Sequence, residues 1–529
     1  MDNNGHMSRP ASALYPTQDD SILTLEEVSK TLRVSEKTVR RLIKNSSLPA
    51  FRVGGSWRIR RQDLSSWIRT GGSKAVVPAA KLMRAIPSPV DALPRATDLK
   101  IYTPTFVDLF AGCGGLSLGL GNAGWRGILA VENDAMAFES LKFNLLDKKN
   151  HFPLWPATVP KTPLDVLDLL GPAHKDLLKL LESNITLLAG GPPCQGFSVA
   201  GARNGMDERN DLADAFLKFI QRVNPPFVLV ENVEGMDRAF KSKPRESMHS
   251  VAQEIMNRLR GDLNYQPFSA VLQTSDFGVP QARNRLFIFG VRNDLARGMK
   301  DEDINLFTQM QRLREAFLTE KGLPIDRPVT VLEGIGDLSS IEKVECPDAY
   351  KFQSGKYLKA SSQYSRLMRK GIPQSAIPDS HRFPNHSAYI KERYELFQKE
   401  LQWGRISRHT LKANGTGKHR VVYIDPTKPA PTLTTSPDDF LHFEQPRIIT
   451  VREMARLQSF PDWFEFKGRY TINGPRRRFD RARVSQAGNA VPPFVGEMIG
   501  YALSLIIQAI EGVQSEAENV NHRLYASAR

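Results

Sequence analysis

Five short apolar runs, separated by helical patterning, constrain this chain more than any other feature. Phe106-Val107-Asp108-Leu109-Phe110 is the first. The others fall at 127–132, 185–189, 227–230 and 285–291. Strands that alternate with helices predict a doubly wound α/β sheet, buried on both faces. Residues 292–445 lose that rhythm and become polar, basic and turn-rich, and regular patterning resumes at Thr450. No internal repeat of 20–50 residues is present.

A separate block precedes this region. Leu25, Val28 and Leu32 recur at helical spacing. Ser35 is a good N-cap for a second helix that carries Val39, Leu42 and Ile43 on one face. The segment 51–59 alternates around Gly54-Gly55 and reads as a hairpin. Leu64, Trp67 and Ile68 predict a closing helix. Residues 70–100 hold Gly71-Gly72-Ser73 and four prolines, the composition of a linker.

Charge points to a polyanionic partner. Lys+Arg number 72 and Asp+Glu 57, a net of 72 − 57 = +15. Nucleic-acid, ribosomal and membrane-surface proteins share that excess. Cys113, Cys194 and Cys346 are too few and too scattered for a disulfide framework, a C-x-x-C motif or a structural zinc site. Residues 1–20 lack the apolar core of a signal peptide. The stretch 494–510 is broken by Glu497 and Gln508 and is too short for a membrane span. A cytosolic protein is expected.

Four motifs carry chemistry. After the first strand comes Ala111-Gly112-Cys113-Gly114-Gly115, a turn that lets backbone amides approach a ligand at a helix N-terminus. Glu132 ends the second strand, 24 residues after Asp108, where a carboxylate can bond ribose hydroxyls. The alternative is a tight turn that only packs helix on strand. Next is Gly190-Gly191-Pro192-Pro193-Cys194-Gln195-Gly196. The prolines stiffen the loop and remove amide donors, so Cys194 reads as a nucleophile at the carboxyl edge of the sheet. Its alternative is an inert thiol. Glu231, in Glu231-Asn232-Val233, would face the same crevice as an acid or as a partner for a ring nitrogen, or else cap a turn. Alternation puts Arg283 and Arg285 on one strand face. There they suit a phosphate or a carbonyl oxygen, or form a solvated strand entry.

In order, these motifs resemble the cytosine-C5 DNA methyltransferase family. The resemblance covers about residues 103–511. It runs from Asp108-Leu109-Phe110-Ala111-Gly112-Cys113-Gly114-Gly115 through Glu132-Asn133-Asp134 and Gly191-Pro192-Pro193-Cys194-Gln195-Gly196-Phe197-Ser198. It continues with Glu231-Asn232-Val233 and Gln281-x-Arg283-x-Arg285. It closes with Thr450-Val451-Arg452-Glu453-x-Ala455-Arg456-Leu457-Gln458-x-Phe460-Pro461 and Gly488-Asn489-Ala490-Val491-Pro492-Pro493.

The resemblance implies an S-adenosylmethionine-dependent, Rossmann-like methyltransferase fold with a mixed target-recognition domain. It implies that the Cys194 thiolate adds to C6 of a flipped cytosine in duplex DNA. Glu231 would act at N3, and Arg285, with Arg283 beside it, at O2. C5 would take the methyl group of S-adenosylmethionine, and β-elimination would free Cys194. Phe110, Gly112, Gly114, Glu132, Asp165, Pro193, Asn489 and Val491 would contact the cofactor. The same resemblance assigns 103–291 to the catalytic domain, 292–445 to target recognition and 446–511 to the returning catalytic part, before a tail at 512–529. Arg405 and Lys418 would touch DNA. Arg476, Arg477, Arg478, Arg481 and Arg483 are expected to face phosphates. A transfer-RNA methyltransferase and an inactive transcription regulator on the same fold are the competing readings.

Residues 22–69 resemble excisionase-like winged helix-turn-helix modules, between a tail at 1–21 and a linker at 70–102. Residues 24–69 hold eleven Lys/Arg against four Asp/Glu. Lys37, Arg40, Arg41 and Lys44 lie on the second helix, which enters the major groove in such folds. Arg52 and Arg58 lie on the wing. The module is expected to bind DNA, to regulate transcription or to hold the enzyme on DNA, with a protein-docking module as the alternative. Expected partners are double-stranded DNA and, in the functional sense of restriction–modification, an endonuclease, with no metal and no membrane. A monomer on its methylation site, in the nucleoid-bearing cytoplasm, is expected.

Overall fold

The computed structural model describes residues 22–32, 34–44, 48, 50–53, 56–60, 64, 103–192, 210–237, 250–471 and 480–527. The chain divides into two compact units, Met1–Ser88 and Pro89–Arg529.

In the first unit, β1 (Ile22–Thr24) leads into α1 (Leu25–Leu32), then α2 (Glu36–Lys44), β2 (Phe51–Val53) and β3 (Ser56–Arg60). The strands form an antiparallel sheet in the order β1-β3-β2. Thr24 caps α1 reciprocally with Glu27. The Thr24 amide donates to Glu27 Oε2 at 2.7 Å, and the Glu27 amide to Thr24 Oγ1 at 3.3 Å. The Thr38 amide donates to Ser35 Oγ at 3.2 Å, as the N-cap expectation requires. Val28, Val39, Ile43, Leu48, Ile59 and Leu64 close one small core. β1 was not foreseen. Three residues give too short a pattern, and its partner β3 lies more than thirty residues away. Trp67, Ile68 and the Gly54-Gly55 turn lie outside the described residues.

The five expected strands of the second unit appear as β4 (Thr105–Leu109), β5 (Arg126–Val131), β6 (Leu187–Gly190), β7 (Phe227–Val233) and β10 (Asn284–Arg292). β8 (Tyr265–Gln273) joins them, and the two-residue β9 (Gln281–Ala282) pairs apart from them with the strand Ala430–Pro431. The large sheet has the order β5-β4-β6-β7-β10-β8. β4, β5, β6 and β7 run parallel, while β10 is antiparallel to both β7 and β8. β8 buries Tyr265 and Pro267 and then alternates between half-buried and exposed positions, so it lacks the apolar run that marked the others.

Both faces are covered. Phe106, Leu187, Ala189, Phe227, Leu229, Phe287 and Phe289 point into one core. α3 (Gly115–Asn122), α4 (Ala135–Leu141), α8 (Leu306–Glu320) and α11 (Pro493–Ser527) supply its other side. Val107, Leu188, Val228, Val230, Leu286 and Ile288 point into the other core, beneath α5 (Lys175–Asn184), α6 (Asn210–Val223) and α7 (Val251–Gly261). The two-residue period of a strand thus divides each apolar run between two layers. α8 comes from the stretch that had lost the strand-helix rhythm, yet it packs in the first core with α11.

The segment Arg483–Val513 is long and apolar enough to cross a membrane by composition, but 72% of its apolar window is buried in the protein. Glycines explain how close α11 comes to α3. A Cβ on Gly119 would meet the Pro493 carbonyl oxygen at 2.3 Å and the Glu497 nitrogen at 2.5 Å. Both are backbone atoms and cannot swing aside. Gly119→Ala is therefore expected to cost about 1–3 kcal/mol, read as a lower urea midpoint at unchanged slope. An unchanged midpoint would show that the two helices tolerate separation.

Candidate active site

The chain runs from β4 to β5 on one side and returns to β6 on the other side of β4. Ligands of such sheets bind at the carboxyl ends of the strands, where the order reverses. Leu109 and Gly190 are register partners there. The loop after β4 is held in an unusual backbone conformation. Phe110 has φ 59°, Gly112 58° and Gly114 90°. A positive φ at an aromatic residue is strained and persists only when its surroundings enforce it. Glu132 does part of that. Its Oε2 accepts from the Gly112 amide and its Oε1 from the Asp134 amide, both at 2.8 Å. Burial raises the pKa of this carboxyl, and the two amides oppose the rise.

Beneath the loop the packing is tight. A Cβ on Gly115 would lie 2.2 Å from the Val491 carbonyl oxygen, whereas a Cβ on Gly112 would meet nothing within 4 Å. The loop is thus clamped below and open above Gly112, the shape of a cradle for a ligand. Asp165 stands beside it. It caps the turn Val166–Leu169 through the Leu167 amide, at 2.8 Å, and accepts from Asn133 Nδ2 at 3.4 Å. Asn489 is exposed at the end of α10 (Arg483–Asn489), and Val491 is half-buried. Asp108 lies under the cradle, where Ser117 Oγ donates to its Oδ2 at 2.5 Å. Burial pushes its pKa up to about 7, against the Ser117 hydrogen bond.

Glu231 lies near the end of β7, beside the same crevice. A Cβ on Gly191 would come within 3.1 Å of its Oε2. Arg285 Nε pairs with Glu231 Oε1 at 3.0 Å, and both side chains are largely buried. Phe287 is the register partner of Glu231, so Arg285 reaches it diagonally on one sheet face. Burial raises the Glu231 pKa, while Arg285 and then Arg283 counteract it.

Arg283 departs from the expectation of two convergent guanidiniums. It falls between β9 and β10, where strand alternation does not apply. Its Nη1 donates to the carbonyls of Leu433, at 3.2 Å, and Gly488, at 2.8 Å. Burial lowers its pKa to about 9, so it stays charged at neutral pH.

Cys194 and Pro193 lie outside the described residues. The other two thiols are poorly suited to attack. Both are buried, burial pushes Cys113 up to about 12, and Cys346 is raised for the same reason. Asn232 follows Glu231 in the same motif, and nothing in the sequence assigns it a role of its own. Its Nδ2 donates to the Pro192 carbonyl at 2.8 Å and so pins the base of the Pro-Pro loop to β7.

Other motif residues prove to be structural. In α9 (Val451–Leu457), Arg456 is fully buried. It bonds Asp462 Oδ1 at 2.5 Å and Asp337 Oδ1 at 3.0 Å. Arg447 makes a two-pronged pair with Glu453 at 2.7 and 2.8 Å. Arg456→Met leaves buried Asp337 and Asp462 with only the longer ion pairs to Arg369 and Arg452, at 3.3 and 3.8 Å, and should cost about 3–5 kcal/mol in chemical denaturation. A loss below 1 kcal/mol would show that the cluster relaxes. Arg483 corrects the phosphate-facing expectation. It is buried, with Nε donating to the Gly468 carbonyl at 2.9 Å and Nη1 to Asp348 and Ser380. A charge run in sequence does not reveal that one member turns inward to a carboxylate 135 residues away and a hydroxyl 103 residues away. Arg481 is half-buried, and its amide donates to Asp134 Oδ2 at 2.7 Å. Arg476, Arg477 and Arg478 lie outside the described residues.

Of the residues expected on DNA, Lys37 and Arg40 are exposed on α2, with Arg40 3.5 Å from Glu36. Arg58 is half-buried and donates to the Trp57 carbonyl at 3.0 Å. The side chains of Arg41, Lys44 and Arg52 lie outside the described residues. Arg405 is exposed on the strand Gly404–Arg405, while Lys418 pairs with Asp438 at 2.7 Å. A cleft of about 430 Å³ lies at the end of β7, lined in part by Glu234, Asn284, Arg285 and Thr432.

The family model for C-5 cytosine-specific DNA methylase matches residues 104–504. The chain belongs to that family. A helix-turn-helix domain model matches residues 22–72. The type II methyltransferase M.DdeI of Desulfomicrobium norvegicum is 30% identical over 433 residues, 80% of this chain and 93% of the relative. M.XorII of Xanthomonas oryzae pv. oryzae is 29% identical, over 75% of this chain and 84% of the relative. A solved DNA modification methyltransferase encoded within an Escherichia coli prophage is 27% identical, with a TM-score of 0.53. That match covers 77% of this chain and 99% of the other. This is a DNA cytosine methyltransferase with an added helix-turn-helix domain. The fold and the family imply S-adenosylmethionine as its methyl donor.

Proposed function

We propose that this methyltransferase modifies C5 of a cytosine flipped out of a specific duplex site, through a covalent adduct on Cys194. The buried Glu231–Arg285 pair, at the crevice that also carries the glycine cradle, is the observation that supports this reading. Cytosine C5 is a poor nucleophile. Addition of the Cys194 thiolate to C6 gives C5 enamine character, and Glu231 holds a proton at N3 to favour that charge shift. Arg285 fixes the O2 side of the ring and orients Glu231. Loss of the C5 proton and β-elimination then release Cys194. S-Adenosylmethionine, when bound, supplies an electrophilic methyl group. Phe110, Gly112, Gly114, Glu132, Asp165, Pro193, Asn489 and Val491 would hold it. The open space above Gly112 and the carboxylate of Glu132 fit such a ligand.

Incubation with labelled S-adenosylmethionine and either duplex DNA or transfer RNA tests this directly. Label is expected in DNA, and mapping methylated positions in DNA from an expressing host then defines the site. Label in RNA alone overturns the reading.

Residues 292–445 are proposed to read the site, with Arg405 and Lys418 against the DNA. A cognate endonuclease, a monomeric enzyme and a place in the nucleoid-bearing cytoplasm complete the proposal. The helix-turn-helix unit, through Lys37, Arg40, Arg41, Lys44, Arg52 and Arg58, is proposed to hold a separate DNA sequence and to regulate transcription there. Removal of residues 1–95 is expected to leave kcat within about twofold and to weaken binding to that second sequence by tenfold or more. Identical retention of both proteins on every duplex tried, in gel shifts, would count against a DNA role for this unit.

A further inference from the structure

Two buried glutamines lie between the recognition region and the cofactor side without belonging to either. Gln281 and Gln458 are both 0% exposed. The Leu433 amide, at the carboxyl end of the recognition region, donates to Gln281 Oε1 at 2.8 Å. Gln281 Nε2 donates to Gln458 Oε1 at 2.6 Å. Gln458 Nε2 donates to the carbonyls of Ala487, at 2.8 Å, and Ala490, at 3.3 Å. The next carbonyl, that of Val491, is the one pressed against Gly115 beneath the glycine cradle.

Arg283 makes a second bridge beside the first, from the Leu433 carbonyl to the Gly488 carbonyl. Both polar groups of one backbone residue are thus tied to one turn. The approach is close. A Cβ on Gly488 would meet the Thr434 carbonyl oxygen at 2.5 Å. The neighbouring strand Ala430–Pro431 pairs with β9, with Ala430 opposite Gln281. A shift of Leu433 is passed through this packed interior to the 487–490 turn, because each amide in the chain has a donor and an acceptor already committed.

We propose that Gln281 and Gln458 are positioning residues that couple DNA binding to cofactor binding. The proposal rests on the reading of 292–445 as the DNA-reading region and of the glycine cradle as the cofactor site. When duplex DNA seats the 430–433 segment, the amide chain carries its position to the turn that floors the cradle. By reciprocity, cofactor binding tightens the hold on DNA by the same factor.

The test is calorimetric titration of the full-length protein with S-adenosylhomocysteine, with and without a duplex bearing the mapped site. The ratio of the two affinities measures the coupling independently of turnover. The wild-type ratio is expected at about 5- to 150-fold. Gln458→Met should lower it by threefold or more, the intact Arg283 bridge carrying the remainder, and adding Gln281→Met should change it little further, since one chain is cut only once. Gln458→Glu, which keeps the acceptor for Gln281 but loses the donor to Ala487, should behave as Gln458→Met does and covers the case in which methionine is not tolerated. A merely structural role would weaken affinity equally in both titrations and leave the ratio unchanged. That result overturns the proposal, as does a wild-type ratio of one. Failure of the underlying reading is distinct, because the wild-type protein would then methylate no DNA and no site would be mapped.

Discussion

Cys194→Ala is expected to lower methyl transfer by about 10⁴-fold or more while leaving duplex and S-adenosylhomocysteine binding measurable. The size follows from the chemistry. Without the covalent adduct, C5 keeps its low nucleophilicity, and among the described residues of the crevice none is a nucleophile that could raise it. Cys113 cannot substitute, since burial pushes its thiol up to about 12 and keeps it protonated. A labelled-methyl assay with single-turnover kinetics reads the effect. A duplex with fluorine in place of hydrogen at C5 adds a second measurement. Fluorine cannot leave as a proton does, so wild-type protein should remain bound to it through denaturing electrophoresis and Cys194→Ala should not. Retention of the alanine variant, or activity within tenfold of wild type, would remove Cys194 from its role.

Glu231→Gln should lower kcat by about 10²–10⁴-fold, with the Km for DNA changed far less. Glutamine preserves the shape of the side chain and its contact with the ring but cannot deliver a proton to N3. The environment of Glu231 makes the pH dependence informative. Burial raises its pKa, and Arg285 and Arg283 hold the rise in check. A carboxyl that must be protonated loses activity as pH climbs through that raised pKa. The glutamine variant should therefore lack this alkaline limb. The same shift has a stability consequence. Between the ordinary glutamate pKa and the raised one, the folded chain holds a proton that the unfolded chain releases, so this residue's contribution falls as pH rises through that window. A Glu231→Gln enzyme with wild-type kcat, or with the alkaline limb intact, would show that the proton reaches N3 from elsewhere.

Much of this was legible in the order of residues. Strands buried on both faces announce themselves because every position in them is apolar, as in Phe227–Val230. Asp108, Glu132, Glu231 and Arg285 stand at or beside strand ends, so a correct strand assignment already puts them near one crevice. β8 escaped because its second half alternates between half-buried and exposed side chains. α8 escaped because it lies in a polar stretch whose partner, α11, begins 173 residues after Glu320 closes it.

The residues by themselves determined the sheet, the family, the crevice and the chemistry expected there. Those depend on local periodicity and on motifs read in chain order. Only the tertiary structure decided the division of labour among the arginines. Arg285 took Glu231, Arg283 took two carbonyls, Arg456 took two carboxylates and Arg483 turned inward. The same holds for the amide chain from Leu433 through Gln281 and Gln458 to the 487–490 turn. The reason is physical. A guanidinium or an amide has no preferred partner in sequence, and it takes whichever acceptor folding leaves beside it and shields from water.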